Sequence, residues 1–353
     1  MSEKLPIGIA TVAQLDDFDA IIDARSPAEY ADDHLPGAVS YPVLSDEERA
    51  RVGTLYQQVS PFEARKLGAA LVARNIARHI ETNFLGMPRT WRPLVYCWRG
   101  GQRSGAFQHI LREIGWQAHR LQGGYKNWRH HVLAALADLP SRLRFVVVSG
   151  ATGTAKSRLL EALAAEGGQV LHLEEMAAHK GSVLGTLPGE PQPSQRMFET
   201  RLFEGLRRLQ AERPVFVEAE SRRIGSIQLP NSLVHAMRAA PCLRIEATIE
   251  ARVDFLLRDY AYWLAEPRQL IERLDHLHGL QSNDTLAAWR AMVDRKQFRD
   301  LVVELLDRHY DPLYRRSQTR NYADYRQAPT YAADDLSPAG VTALARRILA
   351  AVN

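Results

Sequence analysis

The chain is poor in cysteine, with two in 353 residues, Cys97 and Cys242. Two are too few for a disulfide framework at this length. A reducing compartment is therefore expected, where a thiol stays free for chemistry. Long apolar runs are missing as well. None reaches the roughly 18 residues a membrane helix needs, so no membrane partner is expected. The opening residues MSEKLPIGIA carry an acid early and no apolar core. No secretory leader is expected from them, and the expected location is cytoplasmic. The chain shows no internal repeat and no low-complexity tract. Lysine is scarce: of 45 basic residues only six are Lys, the rest Arg.

What is present is ordinary for a soluble globular protein, 46% apolar and 24% charged. At roughly 150 residues per domain the length suggests two domains. The formal charge of +4 and pI of about 9.1 are mildly basic. Arginine suits phosphate forks and base stacking. Compositional bias toward Ala and Arg explains the same numbers, so charge alone leaves a nucleic-acid partner open.

Short apolar runs and helical patterns alternate through the first third. Strands are expected at 18–23, 38–42, 93–96 and 118–121, and helices at 27–33, 62–80, 104–114 and 126–136. Such alternation implies a mostly parallel sheet covered by helices. Residues 139–143 are short, polar and contain a Pro, which marks them as a linker between domains at 1–138 and 144–353. The second domain opens with a β-branched run at 144–149, the pattern of a central parallel strand. Further strands are expected at 214–217 and 242–245. From about 251 to 308 the pattern is helical, including 253–264 and 286–306.

The sharpest local feature is Cys97-Trp98-Arg99-Gly100-Gly101-Gln102-Arg103-Ser104. A Cys ends an apolar strand, and a Gly-containing loop and a helix follow. This arrangement turns backbone N–H groups and a positive helix end toward the sulfur. Arg99 and Arg103 add positive charge, and each effect favours a thiolate. A small core cysteine would need neither the glycines nor the arginines. Cys242 lies in an apolar run without glycines and is assigned to the core.

The second feature is Gly150-Ala151-Thr152-Gly153-Thr154-Ala155-Lys156-Ser157. The phosphate-loop pattern asks for Gly, four residues, then Gly-Lys-Ser/Thr, and only Ala155 departs from it. The backbone can curl around a phosphate, Lys156 can neutralise it, and Ser157 can ligate Mg²⁺. A methyl at Ala155 resists positive φ and narrows the room for phosphate. That counts against ordinary nucleoside triphosphate hydrolysis while leaving an anion site. Glu218 and Glu220 compete for the acidic role at the end of a second strand.

Three further segments stand out: His179-Lys180 in a polar loop, Arg222-Arg223 just past a strand end, and His309-Tyr310 near the C-terminus. Ligands of open α/β sheets bind beyond strand C-termini, where paired arginines could hold a diphosphate or RNA phosphates. The aromatics could stack a base. Solvated charge explains the arginines equally well, and a packed helix end explains His309 and Tyr310.

Asp23-Ala24-Arg25 with Glu29-Tyr30, His34-Leu35-Pro36-Gly37-Ala38, the Cys97 loop, and Gly123-Gly124-Tyr125 before Trp128 resemble a rhodanese domain over about residues 5–138. That resemblance implies a catalytic Cys97 that carries a chalcogen. Asp23, Arg25 and His34 are expected to fix loops. Followed by the P-loop domain with its HKGS, EAESRRIG and HYDPLY segments, the whole resembles the tRNA 2-selenouridine synthase family. The fold implied is α/β: a rhodanese-like parallel-sheet domain plus a P-loop NTPase-like domain with a helical C-terminal part.

The same resemblance implies a tRNA substrate carrying wobble 2-thiouridine, with geranyl diphosphate and selenophosphate as co-substrates and a selenophosphate-making enzyme as a partner. No tightly bound cofactor is implied. Geranylation of the sulfur would precede its replacement by selenium, with Lys156, Arg222 and Arg223 on the diphosphate. A rhodanese sulfurtransferase fused to an ATP-dependent kinase or NTPase is the rival enzyme. An RNA-binding module with degenerate sites is the rival of another class.

Overall fold

The computed structural model describes residues 8–182, 184–322 and 325–352. The opening heptapeptide, on which part of the leader argument rests, lies outside them, as do the two ends of the expected domains. The chain divides into two compact units, Met1–Ala135 and Leu136–Asn353. Most of the expected linker is a 3-10 turn, Leu139–Arg142, directly following the helix Gly124–Asp138.

The first unit holds five strands: β1 (Ile9–Ala10), β2 (Ala20–Asp23), β3 (Ala38–Ser40), β4 (Pro93–Tyr96) and β5 (His119–Leu121). They form one parallel sheet in the order β1-β5-β4-β2-β3. β4 is buried at every residue, as expected for a strand covered on both faces. The short β1 escaped the sequence reading. So did the helix Asp46–Gln58, which has no fully buried residue and hence no apolar stripe to betray it.

A buried network fixes the loop after β2. Arg25 donates to both carboxylate oxygens of Asp23, Nη2 to Oδ2 at 2.6 Å and Nε to Oδ1 at 3.0 Å, and to the Asp33 carbonyl at 2.6 Å. Tyr96, at the end of β4, donates to Asp23 at 2.6 Å. The Arg25 guanidinium lies 3.9 Å from the centre of the Tyr125 ring. His34 stacks on Tyr30 and bonds its carbonyl through Nδ1 at 2.9 Å. These groups fix loops and the end of the thiol strand. Because the ion pair is fully buried, removing one partner strands the other. Arg25→Met should therefore cost about 3–5 kcal/mol, read by urea denaturation.

The second unit holds β6 (Arg144–Gly150), β7 (Gln169–Leu171), β8 (Pro214–Glu218), β9 (Arg223–Ile224), β10 (Ile227–Gln228), β11 (Cys242–Glu246) and β12 (Thr330–Ala332). Five of them form a parallel sheet, β12-β11-β6-β8-β7, and β9 with β10 makes a small antiparallel hairpin. Cys242 is buried, as expected of a core cysteine. The helical part is more broken than its periodicity suggests. Helix Ile249–Asp259 stops before Ala261–Ala265. Helix Asn283–Asp294 is parted from Phe298–Leu305 by a turn with Lys296 at φ 57°. This helical layer packs its own core around Trp263, Leu274 and Trp289.

Candidate functional site

In the first unit β4 delivers Cys97 to the mouth of a tight loop that ends in the helix Gln102–Ile114. Glycine is required here. Gly100 and Gly124 have φ of 64° and 60°, and a Cβ at Gly124 would collide with the Cys97 carbonyl and the Gly100 amide. Tyr125 and Lys126 donate their backbone N–H to the carbonyls of Cys97 and Trp98, each at 2.9 Å. Trp98 leans on Tyr125 with ring centres 5.3 Å apart. The sulfur lies 3.1 Å from the Ser104 hydroxyl, in the first turn of that helix, so the positive helix end is beside it.

Two features differ from the sequence expectation. Arg103 is committed to Glu29, Nη1 to Oε2 at 2.8 Å, so its charge is shared rather than given to the thiol. Burial pushes the Glu29 carboxyl up, but the Arg103 bond and charge outweigh it and the carboxyl ends below its usual range. Arg99, Gly101 and Gln102 are exposed, and Arg99 makes no ion pair among the described residues. The thiol itself is 3% exposed and packs with Ile22, Val95 and Phe107. A reagent reaches it only when the loop gives way.

In the second unit the loop after β6 enters the helix Lys156–Ala165. Ala155 sits at φ 58° despite its methyl. The methyl is buried in the core with Val148, Leu159 and Ile245, and that packing offsets the strain of the left-handed backbone. The loop is braced from outside: Arg252 donates to the Thr152 carbonyl at 2.8 Å and grips Asp311 at 2.6 and 3.0 Å. Lys156 Nζ donates to the Gly150 carbonyl at 2.7 Å. Burial pulls its ammonium below the usual value, against the opposing pull of Glu174 and Glu220.

Above the loop lies a cavity of about 360 Å³. Thr152, Gly153, Ala155, Lys156, Ser157, His179, Lys180 and Glu220 all line it. Its lining includes five carboxylates, Glu161, Glu174, Glu175, Glu220 and Asp259, against three cations, Lys156, Arg158 and Lys180. This is therefore no plain anion cradle. Ser157 donates to Glu174 at 2.7 Å. Glu218, just behind, accepts from the Glu174 N–H at 2.7 Å, while its other oxygen is buried without a partner. Among the described residues no cluster of three or more His, Cys, Asp or Glu could hold a metal ion. Ser157, in the lining, is nevertheless a hard oxygen donor that fits Mg²⁺, which takes most of its ligands from phosphate and water, whereas Glu218 lies behind the lining with its second oxygen buried.

Burial, then the charge of Glu174, pushes the Glu218 carboxyl up to about 8. Burial and the same neighbours raise Glu220 well above its usual range. The folded chain thus keeps a proton on Glu218 that the unfolded chain releases near 4.5. Its stabilising contribution is full below pH 4.5 and is lost as pH rises toward 8. Glu218→Gln, melted in the presence of a chelator, should show a flatter Tm profile than the wild type between pH 5 and 8, with the gain largest at pH 8.

The structure does not bring every expected residue to this cavity. Arg222 and Arg223 are exposed beside the β9–β10 hairpin, with Arg222 bonded to Asn231 at 2.6 Å, and neither lines the cavity. His309 is 3% exposed and bonds Gln281 at 3.4 Å, so it cannot stack an RNA base. It sits in a π-turn, Leu306–Tyr310, that runs straight into helix Asp311–Asn321, so the segment does not end a helix. His179 is buried and accepts from the Gly181 N–H at 3.1 Å, and burial, with the charge of Arg273, pulls its imidazole below the usual value.

Several lining residues were not singled out in the sequence, Glu174, Asp259 and Tyr260 among them, and Tyr314 stood there only as the end of the HYDPLY segment. Tyr314 accepts from the Gly150 N–H at 2.5 Å and pairs with the Ser149 hydroxyl at 2.6 Å. Its partners are about 165 positions away, beyond any local signal. Glu174 lies three residues past the end of β7, in the short helix Leu173–Met176, and an acid soon after a strand end was the available clue.

Tyr310 lines a second, smaller pocket, about 60 Å³, walled by Leu184, Leu257, Trp263, Leu301 and Leu305. Thr152, Ser182, Leu256 and Tyr260 line both pockets. A larger cavity with many charged lining groups thus adjoins an apolar one.

A glycine-cradled thiol on one parallel sheet and a strand–loop–helix of phosphate-loop type on another define a two-domain α/β protein of rhodanese-like and P-loop-like architecture. Residues 10–131 match the rhodanese-like domain model, and residues 143–285 match the tRNA 2-selenouridine synthase AAA domain. The chain is 32% identical to a tRNA 2-selenouridine synthase of Aeromonas salmonicida over 85% of its own length and 87% of that protein's. It is 34% identical to one from Azotobacter vinelandii, over 83% and 86% of the two chains. A Nitrosomonas europaea relative of the same description is 36% identical over 68% of this chain, a match that takes in 63% of that protein's length. The chain belongs to the tRNA 2-selenouridine synthase family. No helix among the described residues is long and apolar enough to cross a membrane.

Proposed function

We propose that this protein converts wobble 2-thiouridine in tRNA to 2-selenouridine by way of an S-geranyl intermediate. The observation that supports geranyl diphosphate is the shared wall of the two pockets, Thr152, Ser182, Leu256 and Tyr260. A diphosphate head suits the cavity over Lys156, and a hydrocarbon tail suits the apolar pocket beside it. A ten-carbon tail is longer than the pocket accommodates as it stands, so the helices around Trp263 and Phe298 have to part.

In the first step the thiocarbonyl sulfur attacks C1 of the geranyl group. The C1–O bond breaks with its electron pair on the diphosphate, and the base loses its N3 proton to water. Lys156 and the N–H groups of the loop face the charge that grows on the leaving oxygen. Bound Mg²⁺, held by Ser157 with phosphate and water, would supply further neutralisation in a cavity rich in carboxylates. In the second step the selenium of selenophosphate adds at C2, the C2–S bond breaks with its electron pair on the departing geranylthiolate, and water then cleaves the Se–P bond, releasing phosphate and leaving selenium on C2. Alkylated sulfur leaves more easily than the free thiocarbonyl. The Cys97 loop is placed at this selenium step.

The test is direct. Purified protein, 2-thiouridine tRNA, geranyl diphosphate and selenophosphate are combined, and the nucleosides are read by mass spectrometry. Deleting the encoding gene should likewise remove 2-selenouridine from cellular tRNA. ATP hydrolysis stimulated by tRNA, with no S-geranyl nucleoside formed, would favour the kinase-like reading.

A further inference from the structure

The neck between the two pockets is built for a positive charge. Tyr260 caps the C-terminus of helix Ile249–Asp259, where the carbonyl end of the helix dipole is negative. The Lys180 ammonium already sits there. It lies 4.2 Å from the Tyr260 ring centre and donates to the Asp259 carbonyl at 2.9 Å and carboxylate at 2.5 Å. The same ring lines both the phosphate cavity and the apolar pocket. Across the neck stands Thr152 of the phosphate loop.

Resting on the allylic diphosphate reading above, we propose that Tyr260 is a catalytic residue whose ring face stabilises the allylic cation developing at C1. A ligand with its head over Lys156 and its tail among Leu257 and Leu301 has the junction carbon at this neck. As the C1–O bond lengthens, its electron pair moves to the diphosphate, held on the loop side. Positive charge spreads over C1 and C3, on the Tyr260 side. The sulfur lone pair then closes the C1–S bond, and Tyr260 itself forms and breaks none. Lys180 vacates the ring when the diphosphate enters, because it lines the same cavity and the new negative charge draws it over.

The ring, not the hydroxyl, carries the effect. Tyr260→Phe should hold kcat for geranylation within about twofold, and Tyr260→Leu should lower it about 10- to 30-fold with KM for geranyl diphosphate little changed. If the leucine variant folds poorly, phenylalanines of increasing ring fluorination at position 260 keep the shape. They should lower log kcat in steps as the ring face loses negative charge. Diphosphate release by the wild type is measured first. If it releases none in the presence of 2-thiouridine tRNA, the proposed substrate falls. If it does, and the leucine variant or the fluorinated series turns over at the wild-type rate, the Tyr260 assignment alone falls. Equal losses in the Phe and Leu variants would assign the effect to the hydroxyl and overturn the proposal too.

Discussion

Cys97→Ser should leave tRNA bearing S-geranyl-2-thiouridine and no 2-selenouridine, with selenation down at least about 10³-fold. Serine keeps the size of the side chain and can still bond Ser104, which lies 3.1 Å from the sulfur. What it loses is the soft, ionisable nucleophile beside a helix N-terminus. On the proposed division of labour geranylation depends on the other unit and should proceed at its normal rate, so the intermediate accumulates. The thiol's burial, at 3% exposure, adds a kinetic signature. Alkylating reagents should react slowly with the resting protein and faster when the Cys97 loop is loosened, as by Gly100→Ala, whose methyl would press on the Leu121 carbonyl. A serine variant that makes 2-selenouridine at the wild-type rate removes Cys97 from the mechanism.

The two loops were legible because each is local. A strand end, glycines with positive φ and a following helix lie within eight consecutive residues, and sequence shows such runs directly. The charge balance around them was not legible. Arg103 faces Glu29, 74 positions away, and so its charge is shared. The phosphate cavity reads as basic from Lys156, yet Glu174, Glu220 and Asp259 come to it from three other segments. Arg222 and Arg223 illustrate the opposite error. They lie just past a strand end, but the short β9–β10 hairpin carries them away from the cavity. His309 and Tyr310 looked like surface recognition groups because polar and aromatic residues adjoin there. A π-turn and a layer of packed helices bury one and aim the other into an apolar pocket. Tyr260, at the neck, had no sequence signature at all. Its place depends on where a helix stops relative to a loop about 100 residues earlier.

The second large effect is expected at Lys156. Lys156→Ala should lower the rate of diphosphate release and S-geranylation about 10²- to 10³-fold, the loss typical when one preorganised donor to a developing oxyanion is removed. The ammonium is held over the loop by the Gly150 carbonyl at 2.7 Å and stands 5.5 Å from the Tyr314 ring centre. It is therefore fixed before the leaving group acquires charge, which is the condition for a large effect on kcat. Burial lowers its proton affinity, and Glu174 and Glu220 oppose that. Losing the ammonium leaves those carboxylates facing a diphosphate with less to offset them, so KM for geranyl diphosphate should rise as well. Added Mg²⁺ should recover part of that binding loss without restoring kcat. Selenation of tRNA that already carries the geranyl group should be untouched, and that contrast with Cys97→Ser is the decisive comparison. Equal loss of both steps in the Lys156 variant would mean that the phosphate loop serves the selenium donor as well, and the division of labour between the two units would have to be redrawn.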